Sequence, residues 1–189
     1  MRASLILLGC ALVFGASRAG VRLRAVDGTL LSFFGASGRV NALFFVSSDC
    51  PVSNSYAPEI QRVCQAYGAK GVTCSLLYED VGITAEAVRK HQNEYRYRGI
   101  RAAIDGARTV AKEANATVTP EAVVVAADGT VRYRGRIDNL YAALGKPRQQ
   151  VTEHDLSDAL DAVLAGKPVP KPETKALGCF IVDPKVLEK

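Results

Sequence analysis

Residues 40–46, Val-Asn-Ala-Leu-Phe-Phe-Val, form an almost unbroken apolar run that leads into Cys50-Pro51. Seven residues are too few for a buried helix. An apolar run of this length suits a central strand covered on both faces. Pro51 suits the first position of a following helix, where its missing N–H removes no hydrogen bond. Ala57, Ile60, Cys64 and Tyr67 then recur at helical spacing, and Gly68 and Gly71 end the pattern. Pro58 is expected to kink this helix, because it deletes one backbone bond. A second strand is expected over residues 72–78.

The remaining segments alternate in the same way. Two weakly alternating stretches, residues 21–26 and 30–34, flank Asp27-Gly28 and read as an N-terminal β-hairpin. Thr84 can cap a helix reaching about Tyr95. A short strand is expected over 100–104, and Asp105 can cap a helix over 107–115. Strands over 121–127 and 130–136 surround Asp128-Gly129, a strong hairpin signal. Leu156, Ala159, Leu160, Val163 and Leu164 form the buried stripe of a helix over 152–165, ended by Gly166 and Pro168. The expected fold is α/β: a mixed central sheet flanked by helices, with an N-terminal β-hairpin.

Residues 1–19 read as a signal peptide: Arg2, an apolar stretch over 5–14, and small residues before a cleavage point after Ala19. Cys10 sits in a lipobox-like Leu-Leu-Gly-Cys, a minor possibility for lipoprotein anchoring. The stretch is too short for stable membrane insertion. Residues 20–166 form the expected domain and 167–189 a Pro-rich C-terminal tail carrying Cys179. Losing Arg2 and Arg18 lowers the formal net charge from +5 to +3, too little to indicate nucleic acid. His91 and His154 are expected on solvated helix faces.

Export also changes how the cysteines read. Cys50, Cys64, Cys74 and Cys179 remain, and four cysteines allow three connectivities. Cys64 and Cys74 flank one helix–strand turn, so they either pair or sit as two buried thiols. No zinc spacing is present, and neither a metal nor a cofactor is called for. Cys50, between a buried strand and a helix, faces the free N–H groups of the first helical turn, which lower thiol pKa and create nucleophiles. Ser53 can donate its hydroxyl to the thiolate, whereas Asp49 opposes it by like charge.

The stretch Ser48-Asp49-Cys50-Pro51-Val52-Ser53-Asn54-Ser55-Tyr56-Ala57-Pro58-Glu59 resembles the active-site turn of the peroxiredoxin-like branch of the thioredoxin superfamily, the alkyl hydroperoxide reductase and thiol-specific antioxidant group. Val118-Thr119-Pro120-Glu121-Ala122, Tyr133-Arg134-Gly135-Arg136-Ile137-Asp138 and Ala176-Leu177-Gly178-Cys179 extend the likeness. The resemblance implies a thioredoxin-like fold and a cis Pro120, with the Thr119 backbone beside Cys50. It also implies a site in which Ser47, Pro51, Ser53, Thr119 and Pro120 shape substrate binding. Two departures bear on chemistry. Leu43 stands where the family carries proline, and no arginine matches its peroxide-polarising position, so fixed donors for O–O cleavage are lacking. A second cysteine of a Cys-x-x-Cys pair is replaced by Ser53, so Cys179 is the candidate resolving thiol.

These readings point to an extracytoplasmic thiol-dependent oxidoreductase. Cys50 attacks a disulfide-bearing protein, a small thiol partner's disulfide or, as the lesser activity, a hydroperoxide. An external thiol supplies the electrons. The competing expectation is a non-catalytic thioredoxin-fold binding module or a Cu(I) chaperone built on Cys50 and Cys179.

Overall fold

A computed structural model describes residues 20–187. The expected leader and Cys10 lie outside the described residues. Strands β1 (Val21–Arg24) and β2 (Leu30–Phe33) form the antiparallel hairpin, a two-stranded sheet of its own. Strand β3 (Asn41–Val46) follows, then helices α1 (Pro51–Ser55) and α2 (Ala57–Gly68), strand β4 (Thr73–Tyr78) and helix α3 (Ala85–Glu94). Strand β5 (Arg101–Ile104), helix α4 (Thr109–Ala114), and strands β6 (Val118–Thr119), β7 (Glu121–Val125) and β8 (Val131–Gly135) come next. Two short strands, β9 (Tyr141–Ala143) and β10 (Lys146–Pro147), precede helix α5 (Asp155–Leu164). Strand β11 (Cys179–Phe180) and the single turn α6 (Pro184–Leu187) complete the order.

The main sheet runs β5-β4-β3-β7-β8. Strands β3, β4 and β5 are mutually parallel, and β7 and β8 join antiparallel, making the sheet mixed. Strand β3 lies at its centre, and its alternation explains the apolar run. Ala42, Phe44 and Val46 face one core with Ile60, Leu76, Tyr78, Leu156 and Leu160. Leu43 and Phe45 face another with Leu31, Phe33, Val110 and Val123. All five of these β3 side chains have no solvent exposure. Helices α2, α3 and α5 cover the first face; the hairpin and α4 cover the second.

Several local expectations change in detail. The kink at Pro58 is a break: α1 ends at Ser55, Tyr56 caps both helices, and Pro58 falls in the first turn of α2, where no N–H is needed. Thr84 caps α3 through its hydroxyl, which accepts from Ala87 N–H at 3.2 Å. Asp105 holds α4 from four residues ahead of it. Its carboxylate accepts the N–H groups of Thr109 and Ala111, both at 2.8 Å. Helix α5 starts at Asp155 rather than Thr152, because residues 152–153 instead donate their backbone N–H groups to Asn139 Oδ1.

Cys64 on α2 and Cys74 on β4 are bonded, with Cα atoms 5.9 Å apart. Closing so short a loop stabilises by about 3 kcal/mol through the unfolded chain. The Cys64→Ala, Cys74→Ala double variant is therefore expected to lower unfolding stability in urea by about 2–3 kcal/mol, leaving the rate of disulfide exchange at Cys50 unchanged.

Candidate active site

Cys50 sits at the junction of the core strand and α1, and is itself the N-cap of that helix. Its backbone is extended, with φ −90° and ψ 111°, and its sulfur accepts the Ser53 N–H at 3.4 Å. Pro51 occupies the first helical position, as expected, with its ring exposed. Because α1 is only five residues long, its dipole is short, and the group of the helix start that meets the sulfur is the Ser53 N–H. The Ser53 hydroxyl accepts the Ser47 N–H at 3.2 Å and so braces the loop entering the helix.

Ser47 belongs to that loop too. Its hydroxyl donates to Asp80 Oδ1 at 2.8 Å. The same oxygen accepts the Ser48 N–H and the Ser48 hydroxyl, both at 2.9 Å. Asp80, two residues beyond β4, is thus the organiser of residues 47–49, and no motif in the sequence marks it. Asp49, exposed, makes only a long 3.4 Å backbone contact with it.

His91 is a second residue placed otherwise than expected. It is buried, not solvated, because α3 turns it toward the sheet. Its Nε2 lies 2.9 Å from Asn54 Oδ1 and its Nδ1 2.8 Å from the Tyr78 hydroxyl. Asn54 Nδ2 donates to the Ser48 carbonyl at 2.7 Å, so Asn54 Oδ1 is an acceptor, His91 Nε2 carries the proton and Tyr78 donates to Nδ1. Burial pushes the His91 pKa below its ordinary value, which favours the neutral ring. The chain Tyr78–His91–Asn54–Ser48 ties the core to the turn before Cys50.

The opposite wall is β6. The Thr119 carbonyl oxygen lies 3.2 Å from Cys50 Sγ. The Thr119–Pro120 bond is cis, and both residues are buried. Buried Glu121 steadies this edge by accepting the N–H groups of Thr117, at 2.7 Å, and Val118, at 3.3 Å.

Cys179 reaches the site from the C-terminal segment and is bonded to Cys50, with Cα atoms 6.0 Å apart across 129 residues of sequence. Strand β11 pairs antiparallel with β6, setting Cys179 opposite Thr119. The bond joins a buried sulfur residue, Cys50, to an exposed one. The arginines are engaged elsewhere: Arg134 with Asn115 and Glu173, Arg136 with Glu153 and Asp155. Among the described residues, the hydrogen-bonding atoms that meet Cys50 Sγ are the Ser53 N–H and the Thr119 carbonyl oxygen, both backbone groups.

Outside this centre, Glu59, Asp138 and His154 bring ligand atoms within 4.8 Å of one another. Arg62 already engages both oxygens of Glu59, at 2.7 and 2.6 Å, so that carboxylate carries its own counter-charge. Among the described residues no helix is long and apolar enough to cross a membrane.

No protein-family model and no curated protein matches the chain. Solved structures do. An uncharacterized conserved protein from Geobacillus kaustophilus superposes with TM-score 0.74 at 25% identity, over 89% of this chain and 92% of that one. A hypothetical protein from Sinorhizobium meliloti 1021 gives TM-score 0.74 at 24% identity, over 91% and 95%. A secreted Mycobacterium tuberculosis disulfide oxidoreductase homologous to E. coli DsbE gives TM-score 0.56 at 19% identity, over 77% and 97%. The likeness extends to thioredoxin-like proteins and does not single out the peroxiredoxin-like branch. With Cys50 at the strand–helix junction of a mixed β5-β4-β3-β7-β8 sheet, the chain has a thioredoxin-like fold.

Proposed function

We propose that this protein is an exported thiol–disulfide oxidoreductase in which Cys50 and Cys179 cycle between disulfide and dithiol. The bonded Cys50–Cys179 pair, with the Ser53 N–H on the Cys50 sulfur, carries the reading. In the reduced form the Cys50 thiolate attacks a substrate disulfide; one substrate sulfur bonds to Cys50 and the other leaves as a thiolate. Cys179, deprotonated, then attacks Cys50 Sγ, releasing the substrate's second thiol and closing the Cys50–Cys179 bond. The substrate has gained two electrons, and an external thiol reduces the pair again. Residues 20–166 supply the nucleophile and its wall; the tail, residues 167–189, supplies the resolving thiol. Two disulfides suit an oxidising compartment, and one solved neighbour is a secreted disulfide oxidoreductase.

Peroxide reduction is the lesser activity on this reading, although the active-site turn resembles the peroxiredoxin-like branch. Polarising an O–O bond takes fixed cationic or multiple donors, and here Arg134 and Arg136 are bound to acidic partners. The test compares single-turnover oxidation of the reduced protein by a glutathione-type disulfide and by hydrogen peroxide. Disulfide exchange is expected to be the faster at equal concentration. Oxidation of Cys50 by peroxide at rates orders of magnitude above a free thiolate would make the protein a peroxidase instead.

A further inference from the structure

Strand β11 lies along the wall where a substrate backbone would have to lie to reach Cys50. Cys179 is opposite Thr119 and Phe180 opposite Val118. The span around it is tethered at both ends: Thr174 N–H donates to Arg134 at 3.0 Å and Ile181 N–H to Thr117 at 2.9 Å. Between those tethers, residues 175–180 form a strap held to the wall by the β11 pairing and the Cys50–Cys179 bond.

Gly178 is the tightest point of the strap. It is buried, and a Cβ there would overlap the Thr119 carbonyl oxygen and come within 2.6 Å of its carbon. Gly178 has no positive φ, so close approach and not backbone freedom is what glycine provides here. The obstructing carbonyl is the one 3.2 Å from Cys50 Sγ. It sits on the edge that Glu121 steadies, so it has little room to yield. The position after the cysteine is the reverse: Phe180 is 81% exposed.

From this geometry we infer that the site accepts an extended polypeptide segment in which glycine immediately precedes the reactive cysteine, and that residues 175–180 are a built-in copy of such a segment. The inference rests on the thiol-exchange reading above. It adds a substrate class and a specificity rule: glycine before the cysteine, any side chain after it. In the oxidised protein the strap is covalently seated and the wall is occupied. Once Cys179 is reduced the strap can lift, the segment's cysteine sulfur bonds to Cys50, and its former disulfide partner departs as a thiolate.

The full-length chain carrying Cys179→Ser tests this in its reduced form. The probe is the hexapeptide Ala-Leu-Gly-Cys-Phe-Ile with its cysteine activated as a thionitrobenzoate disulfide. Attack by Cys50 forms the Cys50–peptide bond and releases thionitrobenzoate, read by its absorbance. Overpacking of this kind is expected to slow the reaction about tenfold, equivalent to about 1.4 kcal/mol. A peptide with alanine for the glycine is therefore expected to react about tenfold more slowly or worse, and one with alanine for the phenylalanine at the parent rate. Each rate is taken relative to the same peptide reacting with glutathione. Equal relative rates for all three peptides, or equal slowing by both replacements, overturn the specificity rule and leave the exchange reading standing. Failure of all three to react at Cys50 faster than with glutathione overturns the exchange reading itself. In the chain, Gly178→Ala is expected to shift the Cys50–Cys179 equilibrium with glutathione about tenfold toward the dithiol; an unchanged equilibrium counts against a tight strap.

Discussion

Cys50→Ser is expected to abolish thiol–disulfide exchange, a fall of about a thousandfold or more, because a serine hydroxyl is not ionised near neutral pH and cannot form a mixed disulfide. Cys179→Ser is expected to do something different. The nucleophile remains, with the Ser53 N–H 3.4 Å from its sulfur, but the thiol that closes the cycle is gone. Brief exposure to oxidised glutathione followed by mass spectrometry should therefore show an accumulated Cys50 adduct in Cys179→Ser. It should show little in the wild type and none at this position in Cys50→Ser. Equal adduct in wild type and Cys179→Ser would remove the resolving role of Cys179.

The largest stability effect is expected at Arg108. This side chain is 2% exposed and its Nη1 lies 3.2 Å from Glu79, itself buried. Its Nε donates to the Val182 carbonyl at 2.9 Å, and Nη1 also lies 3.1 Å from the Asp105 carbonyl. Arg108→Met would strip buried Glu79 of its polar partner, leave the Val182 and Asp105 carbonyls without their donor and release the segment beyond β11. Breaking one side of such a pair typically costs about 3–5 kcal/mol. Burial, with Asp105 adding like charge, pushes the Glu79 carboxyl up to about 9, while Arg108 pulls it back.

The sign of the pH dependence follows. A carboxyl with a raised folded pKa binds more protons folded than unfolded, so its contribution to stability is full below about 4.5. It is lost as pH climbs toward about 9. Without Arg108 that pKa rises further, so the deficit of Arg108→Met should be greater at pH 9 than at pH 5. Urea unfolding at the two values measures it. A loss under about 1 kcal/mol at pH 7 would mean that the pair contributes little beyond what replacement packing supplies.

Both effects concern residues whose partners lie far away in sequence, and this is where legibility in the sequence divides. What the sequence determined by itself was local. The apolar run at 40–46 reads as a strand covered on both faces, and its five β3 side chains from Ala42 to Val46 are fully buried. Cys50-Pro51 reads as a helix start, and Cys50 is the N-cap of α1. Thr84 marks the start of α3, and Asp128-Gly129 the turn between β7 and β8. Period, capping and turn chemistry act within a few residues, so they are written along the chain.

The tertiary structure alone decided the rest. Four cysteines left three connectivities open, and the choice of Cys50 with Cys179, 129 residues apart, depends on β11 meeting β6. His91 has the composition of a solvated helix residue. It is buried because Tyr78 and Asn54 satisfy both ring nitrogens, from 13 and 37 residues away. Asp80 organises the loop of Cys50 from the end of a neighbouring strand, and Arg108, in the loop between β5 and α4, meets Glu79 at the end of β4 at 3.2 Å. Gly178 looks like any tail glycine until the Thr119 carbonyl is set against it. A polar or reactive side chain takes its role from the atoms that satisfy it, and in this fold those atoms are brought together by strand order and not by neighbourhood in the chain.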